Sequence, residues 1–212
     1  MKLPQFWIVA GPNGAGKTTC VQKEPISSLL PPVTFFNPDD RTLLKLRSLN
    51  YRGFVDAPLE VQTRSFIESA DEVYAELEVA LAQAKAVGVE TVLSSAKYRP
   101  LLELVLAKKG FSGLIYVALS SPAIAKERVG AWVRRGGHGI PDDKIAARWQ
   151  RSLENLSWFA ANVTTFWIID NSDSTSANAP PLLASGKFGS LDYLDPTAFP
   201  EMKAALSTFA KR

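Results

Sequence analysis

Gly11-Pro12-Asn13-Gly14-Ala15-Gly16-Lys17-Thr18 decides the fold of this 212-residue chain. The octet has the spacing G-x-x-x-x-G-K-T and follows the apolar run Phe6-Trp7-Ile8-Val9-Ala10, which reads as a buried strand. A strand before and a helix after is the setting that a phosphate-binding loop needs. Glycines at 11, 14 and 16 let the backbone turn tightly and aim its N–H groups inward, so that an anion meets several donors and the positive end of a helix starting near Gly16. The expected nucleotide-binding set is therefore Gly11, Pro12, Asn13, Gly14, Ala15, Gly16, Lys17, Thr18 and Thr19. Lys17 is expected to reach the β and γ phosphates of ATP or GTP as a point charge, and the Thr18 hydroxyl to sit on Mg²⁺.

Downstream, Val33-Thr34-Phe35-Phe36 reads as a short buried strand that ends in Asn37-Pro38-Asp39-Asp40. In open α/β sheets ligands lie beyond the carboxyl ends of the strands, which directs Asp39 or Asp40 to the same crevice as the loop. Asp39 is the stronger functional candidate; Asp40 either lines the site or caps a helix starting near Arg41. From about Leu59 to Val87 an amphipathic pattern places Phe66, Ala70, Val73, Leu77, Leu81 and Ala84 on one face and Glu68, Glu72 and Glu76 on another, with Gly88 ending the helix. Val89-Glu90-Thr91-Val92-Leu93 then reads as a buried strand interrupted by one acid. An acid there is costly unless it is paired or faces a wet site, which makes Glu90 a candidate site residue, the alternative being a structural hydrogen bond or ion pair. Ser94-Ser95 closes the strand and either lines the pocket or caps a helix from about Pro100 to Lys109.

The fourth strand is Leu114-Ile115-Tyr116-Val117-Ala118-Leu119, and Ser120-Ser121-Pro122 marks the next helix start. A basic cluster follows: Lys126, Arg128, Arg134, Arg135, Lys144, Arg148 and Arg151. In its middle Arg134-Arg135-Gly136-Gly137-His138-Gly139-Ile140-Pro141 has the composition of a hinge whose glycines let the chain fold over a ligand while arginines meet phosphate oxygens bidentately. A solvated charged helix face is the plainer reading. His138 reads as a loop hydrogen-bonder. A helix from about Asp142 to Phe159 leads to the strand Val163–Asp170, whose terminal Asp170 suits either a Walker B carboxylate or the loop beside the base and is not assigned to magnesium. Residues 172–181 read as an exposed loop and 199–212 as a short amphipathic helix. Five strands alternating with helices predict an α/β fold of the P-loop NTPase class: a five-stranded parallel sheet with helices on both faces and right-handed crossovers, with an arginine-rich, glycine-hinged lid over about 126–151.

Composition bounds the class. The length fits one domain spanning 1–212, and 46% hydrophobic with 21% charged residues is ordinary for a globular protein. No apolar stretch approaches a membrane span, and Met1-Lys2-Leu3-Pro4 runs straight into the first strand, so a cytoplasmic protein with no membrane partner is expected. Cys20 is the single cysteine, which excludes an internal disulfide and reads as a small buried hydrophobe. A net charge of +3 suits an anionic small substrate and does not call for nucleic acid.

The octet looks like that of ABC transporter ATPases, but the L-S-G-G-Q-like signature and the strand ending in Asp-Glu are missing, as is the Asn-Lys-x-Asp motif of GTPases. An early acid at the second strand and a late glycine-hinged arginine segment form the arrangement of small-molecule kinases. The sequence resembles the zeta-toxin family of P-loop kinases, in its short bacterial branch. The matching stretches are Ile8 to Thr19, Phe36-Asn37-Pro38-Asp39, Glu90-Thr91-Val92-Leu93-Ser94, Arg128 through Pro141, Arg148 through Leu156 and Asp170-Asn171-Ser172. The Gly-Gly-His-x-Ile-Pro segment and the Arg-x-x-Arg-Ser-Leu-x-Asn-Leu helix are the most specific of them.

The resemblance implies ATP/GTP-dependent phosphorylation of a small-molecule hydroxyl, which in the better-known toxins belongs to UDP-N-acetylglucosamine. It implies Asp39 as the base, Lys17 on the phosphates, and Arg128, Arg134 and Arg148 on the transferred phosphoryl group or the substrate. Asp40, Glu90, Ser94 and Arg148 make up the expected substrate-binding set. Ser94 stands where the better-known toxins carry a sugar-nucleotide-contacting arginine. Toxicity and a small antitoxin partner are likewise implied by the family. Two other readings fit the loop: a regulatory nucleotide-binding ATPase without an acceptor, for which Asp39 and the arginine segment are unnecessary, and a polynucleotide kinase, which would want a basic groove interleaved with aromatics such as Trp132 and Trp149.

Overall fold

The apolar run ahead of the loop forms strand β1, Gln5–Ala10, and it takes the third place in one seven-stranded sheet in the computed structural model, which describes residues 2–137, 139–173 and 179–211. The other strands are β2 (Thr34–Phe36), β3 (Ala86–Thr91), β4 (Phe111–Ala118), β5 (Thr165–Asp170), β6 (Leu182–Lys187) and β7 (Ser190–Leu194), in the order β2-β3-β1-β4-β5-β6-β7. The first five strands in this order are parallel, as expected. The sheet is nonetheless not five-stranded: β6 pairs antiparallel to β5, and β7 antiparallel to β6. The Phe188-Gly189 turn between them has φ of 50° and 72°, the positive pair that a two-residue hairpin requires.

The chain leaves β1 for β2 and β3 on one side, then crosses to β4 on the other. Val9 and Ala10 are flanked by Glu90 and Thr91 of β3 and by Ile115 and Tyr116 of β4. This is the topological switch point, where strands diverging to opposite sides leave a crevice at their carboxyl ends. Among the described residues seven α-helices accompany the sheet: α1 (Lys17–Val21), α2 (Pro38–Ser48), α3 (Leu59–Ala82), α4 (Arg99–Ala107), α5 (Pro122–Val133), α6 (Asp142–Asn162) and α7 (Pro200–Ala205). Phe6, Ile8, Val89, Leu114, Tyr116, Phe166 and Ile168 from the strands are buried with Leu77, Leu81, Leu102, Leu156 and Phe159 from the helices. Each such side chain contributes about 1.5–3 kcal/mol by leaving water.

Helix α3 stops at Ala82, short of the expected Val87, and Ala84 at φ 56° makes the turn. Gly88 therefore does not end a helix. It lies inside β3, where the ring of Phe35 on β2 packs over it, and a Cβ there would come within 2.4 Å of that ring. The α3 glutamates are more than a solvated face: Glu76 holds Arg41 at 2.7 Å, while Glu68 and Glu72 hold Lys45 at 2.9 and 2.7 Å, clasping α2 to α3. These exposed pairs fix orientation more than they stabilise, each being worth under about 1 kcal/mol. Helix α6 is anchored by a buried polar chain. The Ser152 hydroxyl donates to Val92 O at 2.7 Å, the Tyr116 hydroxyl lies 2.9 Å from Ser152 Oγ, and Trp149 Nε1 donates to Leu119 O at 2.9 Å. No helix among the described residues is long and apolar enough to cross a membrane.

Candidate active site

At the switch point the loop after β1 forms one wall of a cavity of about 900 Å³. Gly11 has φ 145°, and a Cβ on it would lie 2.2 Å from Val117 O of β4, so the loop can press against the neighbouring strand only with glycine there. Asn13, Gly14, Gly16, Lys17, Thr18 and Thr19 line the cavity, while Gly11, Pro12 and Ala15 form the buried back of the turn. Lys17 Nζ folds over the loop and donates to Gly11 O at 3.0 Å and Pro12 O at 3.2 Å. Burial lowers the Lys17 pKa, against the fields of Glu90 and Asp39, which raise it. No side chain caps the Gly16 end of α1, so its N–H groups are left for a ligand.

Asp39 lines the same cavity as Lys17, and each lies within the other's field. The helix that carries it begins at Pro38, not near Arg41, because Asn37 is the cap: its side chain accepts from Asp39 N at 2.9 Å. Asp40 is thus a first-turn residue and not the cap; both aspartates line the cavity. The protein mass around the cleft raises the Asp39 pKa, with Lys17 and then Arg148 pulling it down. Asp39 is nonetheless exposed, and solvent screens that shift. Glu90, at the end of β3, is raised by burial and held down by Lys17 and by the Thr18 hydroxyl, which donates to its two oxygens at 2.9 and 3.1 Å. Glu90 therefore faces both a wet site and a hydrogen-bond partner.

Helix α5 and the chain after β5 pack against the loop itself: a Cβ on Gly14 would lie 2.9 Å from Ala125 O and 3.2 Å from Arg128 Cβ. Arg128 lines the cavity and donates to Ser172 O at 2.8 Å. Asn171 Nδ2 donates to Ala15 O at 2.7 Å, bracing the phosphate-binding loop from the sheet's other half. Asp170 accepts from the Ser172 backbone N–H at 2.9 Å and from its hydroxyl, which occupies the carboxylate in a local turn. Of the remaining expected site residues, Arg134 caps α5 and is exposed outside the cavity lining, where Arg135 stands instead. Ser94 and Arg148 also lie outside that lining: Ser94 O accepts from Arg151 Nε at 3.3 Å, and Arg148 is half-buried within the field of Asp39. His138 lies outside the described residues. Cys20 is buried, and burial pushes its thiol up to about 11, as suits a packed side chain.

Sequence reasoning missed Lys23, Trp132, Ile140, Asn171, Pro180 and Pro181 as lining residues. The α5 contribution was legible in principle: Arg128, Ala131, Trp132 and Arg135 repeat at the spacing of one helical face. The residues present fit a nucleoside triphosphate and Mg²⁺. Lys17, Lys23, Arg128 and Arg135 supply cationic charge along a cradle with uncapped N–H groups. Among the described residues no group of three or more histidine, cysteine or acidic side chains forms a metal cage.

No protein-family model matches the sequence, and no curated protein matches it closely. Solved structures do match. The AvrRxo1-ORF1:-ORF2 complex with ATP aligns at a TM-score of 0.61 and 14% identity over 98% of this chain and 76% of that one. A chain of the PezAT chromosomal toxin–antitoxin system of Streptococcus pneumoniae aligns at 0.54 and 14% over 99% and 79%. One from the Pnkp1/Rnl/Hen1 RNA repair complex aligns at 0.53 and 16% over 75% and 47%. At these identities the likeness is one of fold: the α/β sheet with its phosphate-binding loop at the switch point has the architecture of these solved structures.

Proposed function

We propose that this protein is a zeta-toxin-like phosphotransferase that moves the γ-phosphoryl group of ATP or GTP to a hydroxyl of a small metabolite. The observation that carries the reading is the pairing of Lys17 with Asp39 across one cavity, each within the other's field, with Arg148 acting on Asp39 as well. A regulatory nucleotide switch has no need of such an acid.

In this reading the acceptor O–H gives its proton to the Asp39 carboxylate as its oxygen bonds to the γ-phosphorus. The bond from that phosphorus to the β–γ bridging oxygen breaks, and the nucleoside diphosphate leaves. Such transfer is mostly positioning and charge neutralisation. Lys17 and Arg128 supply positive charge from the cavity walls, Arg148 from beside Asp39, and Arg134 by closure of the segment 126–151 as a lid. Thr18, with Glu90 beside it, would hold Mg²⁺, whose chemistry there is to neutralise the β and γ oxygens. Asp40 and Glu90 from the cavity lining, and Ser94 and Arg148 from beyond it, would bind the acceptor, for which a UDP-amino sugar is the proposed class. PezAT is a toxin–antitoxin system, which supports toxic activity and a small antitoxin partner for this chain too. A cytoplasmic setting, where ATP and sugar nucleotides occur, goes with this proposal.

The test is nucleotide consumption by the purified protein with Mg²⁺ across a panel of UDP-sugars, with Asp39→Asn as control. Consumption stimulated by one sugar nucleotide and lost in the variant is the expected result. Consumption that is indifferent to every acceptor and to Asp39→Asn would instead favour a regulatory ATPase.

A further inference from the structure

Helix α5 turns one face to the cavity, and on that face Trp132 presents a large aromatic surface, 42% exposed, for which the proposed phosphate chemistry has no use. Its ring is fixed from behind. Gly137 packs so closely that a Cβ on it would lie 2.3, 2.4 and 2.8 Å from Cδ2, Cε2 and Cγ, contiguous atoms of the fused ring, so the glycine sits over one indole face. The same segment is tied back to the Trp132 carbonyl, which accepts from Arg135 N at 3.0 Å and from Gly137 N at 3.1 Å. One face is thus covered by backbone, and the residue lines the cavity.

The lining joins cations, Lys17, Lys23, Arg128 and Arg135, to an apolar set, Val129, Trp132, Ile140, Pro180 and Pro181. An anionic chain at one end joined to a flat, polarisable, weakly polar group at the other is the outline of a nucleoside triphosphate. Pro181 is held in place by its own carbonyl, which accepts from Asp170 N at 2.9 Å. We propose that Trp132 is the platform on which the base of the donor nucleotide stacks, Gly137 buttressing the indole. The inference rests on the nucleotide-donor reading and adds to it the residue that positions the base. Stacking on an indole reads the π-face that every base has, so Trp132 supplies affinity for ATP and GTP alike.

The test is calorimetric titration of wild type, Trp132→Ala, Trp132→Phe and Lys17→Ala with ATP, GTP and inorganic tripolyphosphate, each with Mg²⁺. Trp132→Ala is expected to weaken ATP and GTP by about 5- to 100-fold while leaving tripolyphosphate within about twofold, with Trp132→Phe in between. Lys17→Ala is expected to weaken all three. The indole emission quenched by ATP in wild type should be largely lost in Trp132→Phe. Equal affinities of Trp132→Ala and wild type for ATP overturn the platform while leaving nucleotide binding intact. Parallel loss of ATP and tripolyphosphate in Trp132→Ala overturns it also, by making the residue structural. A wild-type protein that binds neither ATP nor tripolyphosphate overturns the donor reading itself, and the platform with it.

Discussion

The Thr18 hydroxyl donates to the two carboxylate oxygens of Glu90, at 2.9 and 3.1 Å, across a sequence separation of 72 residues. The contact follows from the sheet order: β3 lies beside β1, and the register that pairs Val9 with Glu90 brings the acid level with the start of the loop. An acid at the end of a buried strand is tolerated because it meets that hydroxyl, the field of Lys17 and cavity water.

Glu90→Gln keeps the shape of this contact but removes the charge. If Glu90 supports the Mg²⁺ held at Thr18, the variant should need roughly 10–100-fold more Mg²⁺ for half-maximal turnover, at little cost in melting temperature. Titration of activity with Mg²⁺ checks this. An unchanged Mg²⁺ requirement would make Glu90 a loop-positioning residue only.

Asp39 must be ionised to accept a proton, so the rate falls as pH drops through its pKa. Burial in the cleft raises that pKa, with Lys17 and Arg148 opposing, so the acid limb should lie above the ordinary aspartate value of 3.8. The profile of kcat/KM for the acceptor should therefore rise from acid toward neutral pH. Asp39→Asn should lose about 10²–10⁴-fold at the plateau and no longer show the limb, whereas Glu90→Gln should keep it. A limb that survives in Asp39→Asn would assign it to another group.

Ser152 joins Tyr116 of β4 to Val92 O beyond β3 and belongs to the helix that carries Arg148. Ser152→Ala strips a hydrogen bond from the buried Tyr116 hydroxyl and should cost about 1–3 kcal/mol of stability. Denaturant unfolding measures it. Acceptor KM should rise with it, because α6 sets where Arg148 stands. A midpoint equal to that of wild type would show that water replaces the serine.

Much of the fold was legible because apolar runs and turn residues agree along its first five strands. The octet, its flanking strand and the early aspartate locate the crevice. The β6–β7 hairpin escaped notice because Leu182–Lys187 and Ser190–Leu194 form the sheet's antiparallel edge and carry polar residues a buried strand would not. Its one local signal was the Phe188-Gly189 pair. Gly88 misled for a different reason: a glycine after an amphipathic helix marks a helix end by local rules, but the Phe35 ring demands one inside β3. At the site, Asp39, Asp40 and Glu90 could be named from the sequence because each interrupts or ends an element where charge must be explained, and Arg128 through the family resemblance. Asn171 and Trp132 could not be weighed in the same way. The partner of Asn171 is a carbonyl 156 positions away, and the role of Trp132 depends on which face of α5 meets the cavity.

The most direct test of the central claim is transfer of labelled phosphate from γ-labelled ATP into small molecules of a cell extract, comparing wild type with Asp39→Asn. The account predicts one labelled metabolite class, sensitive to treatment that removes phosphate monoesters, formed by wild type and absent with Asp39→Asn although the variant still binds ATP. Labelled inorganic phosphate as the only product, released equally by both proteins, would contradict it.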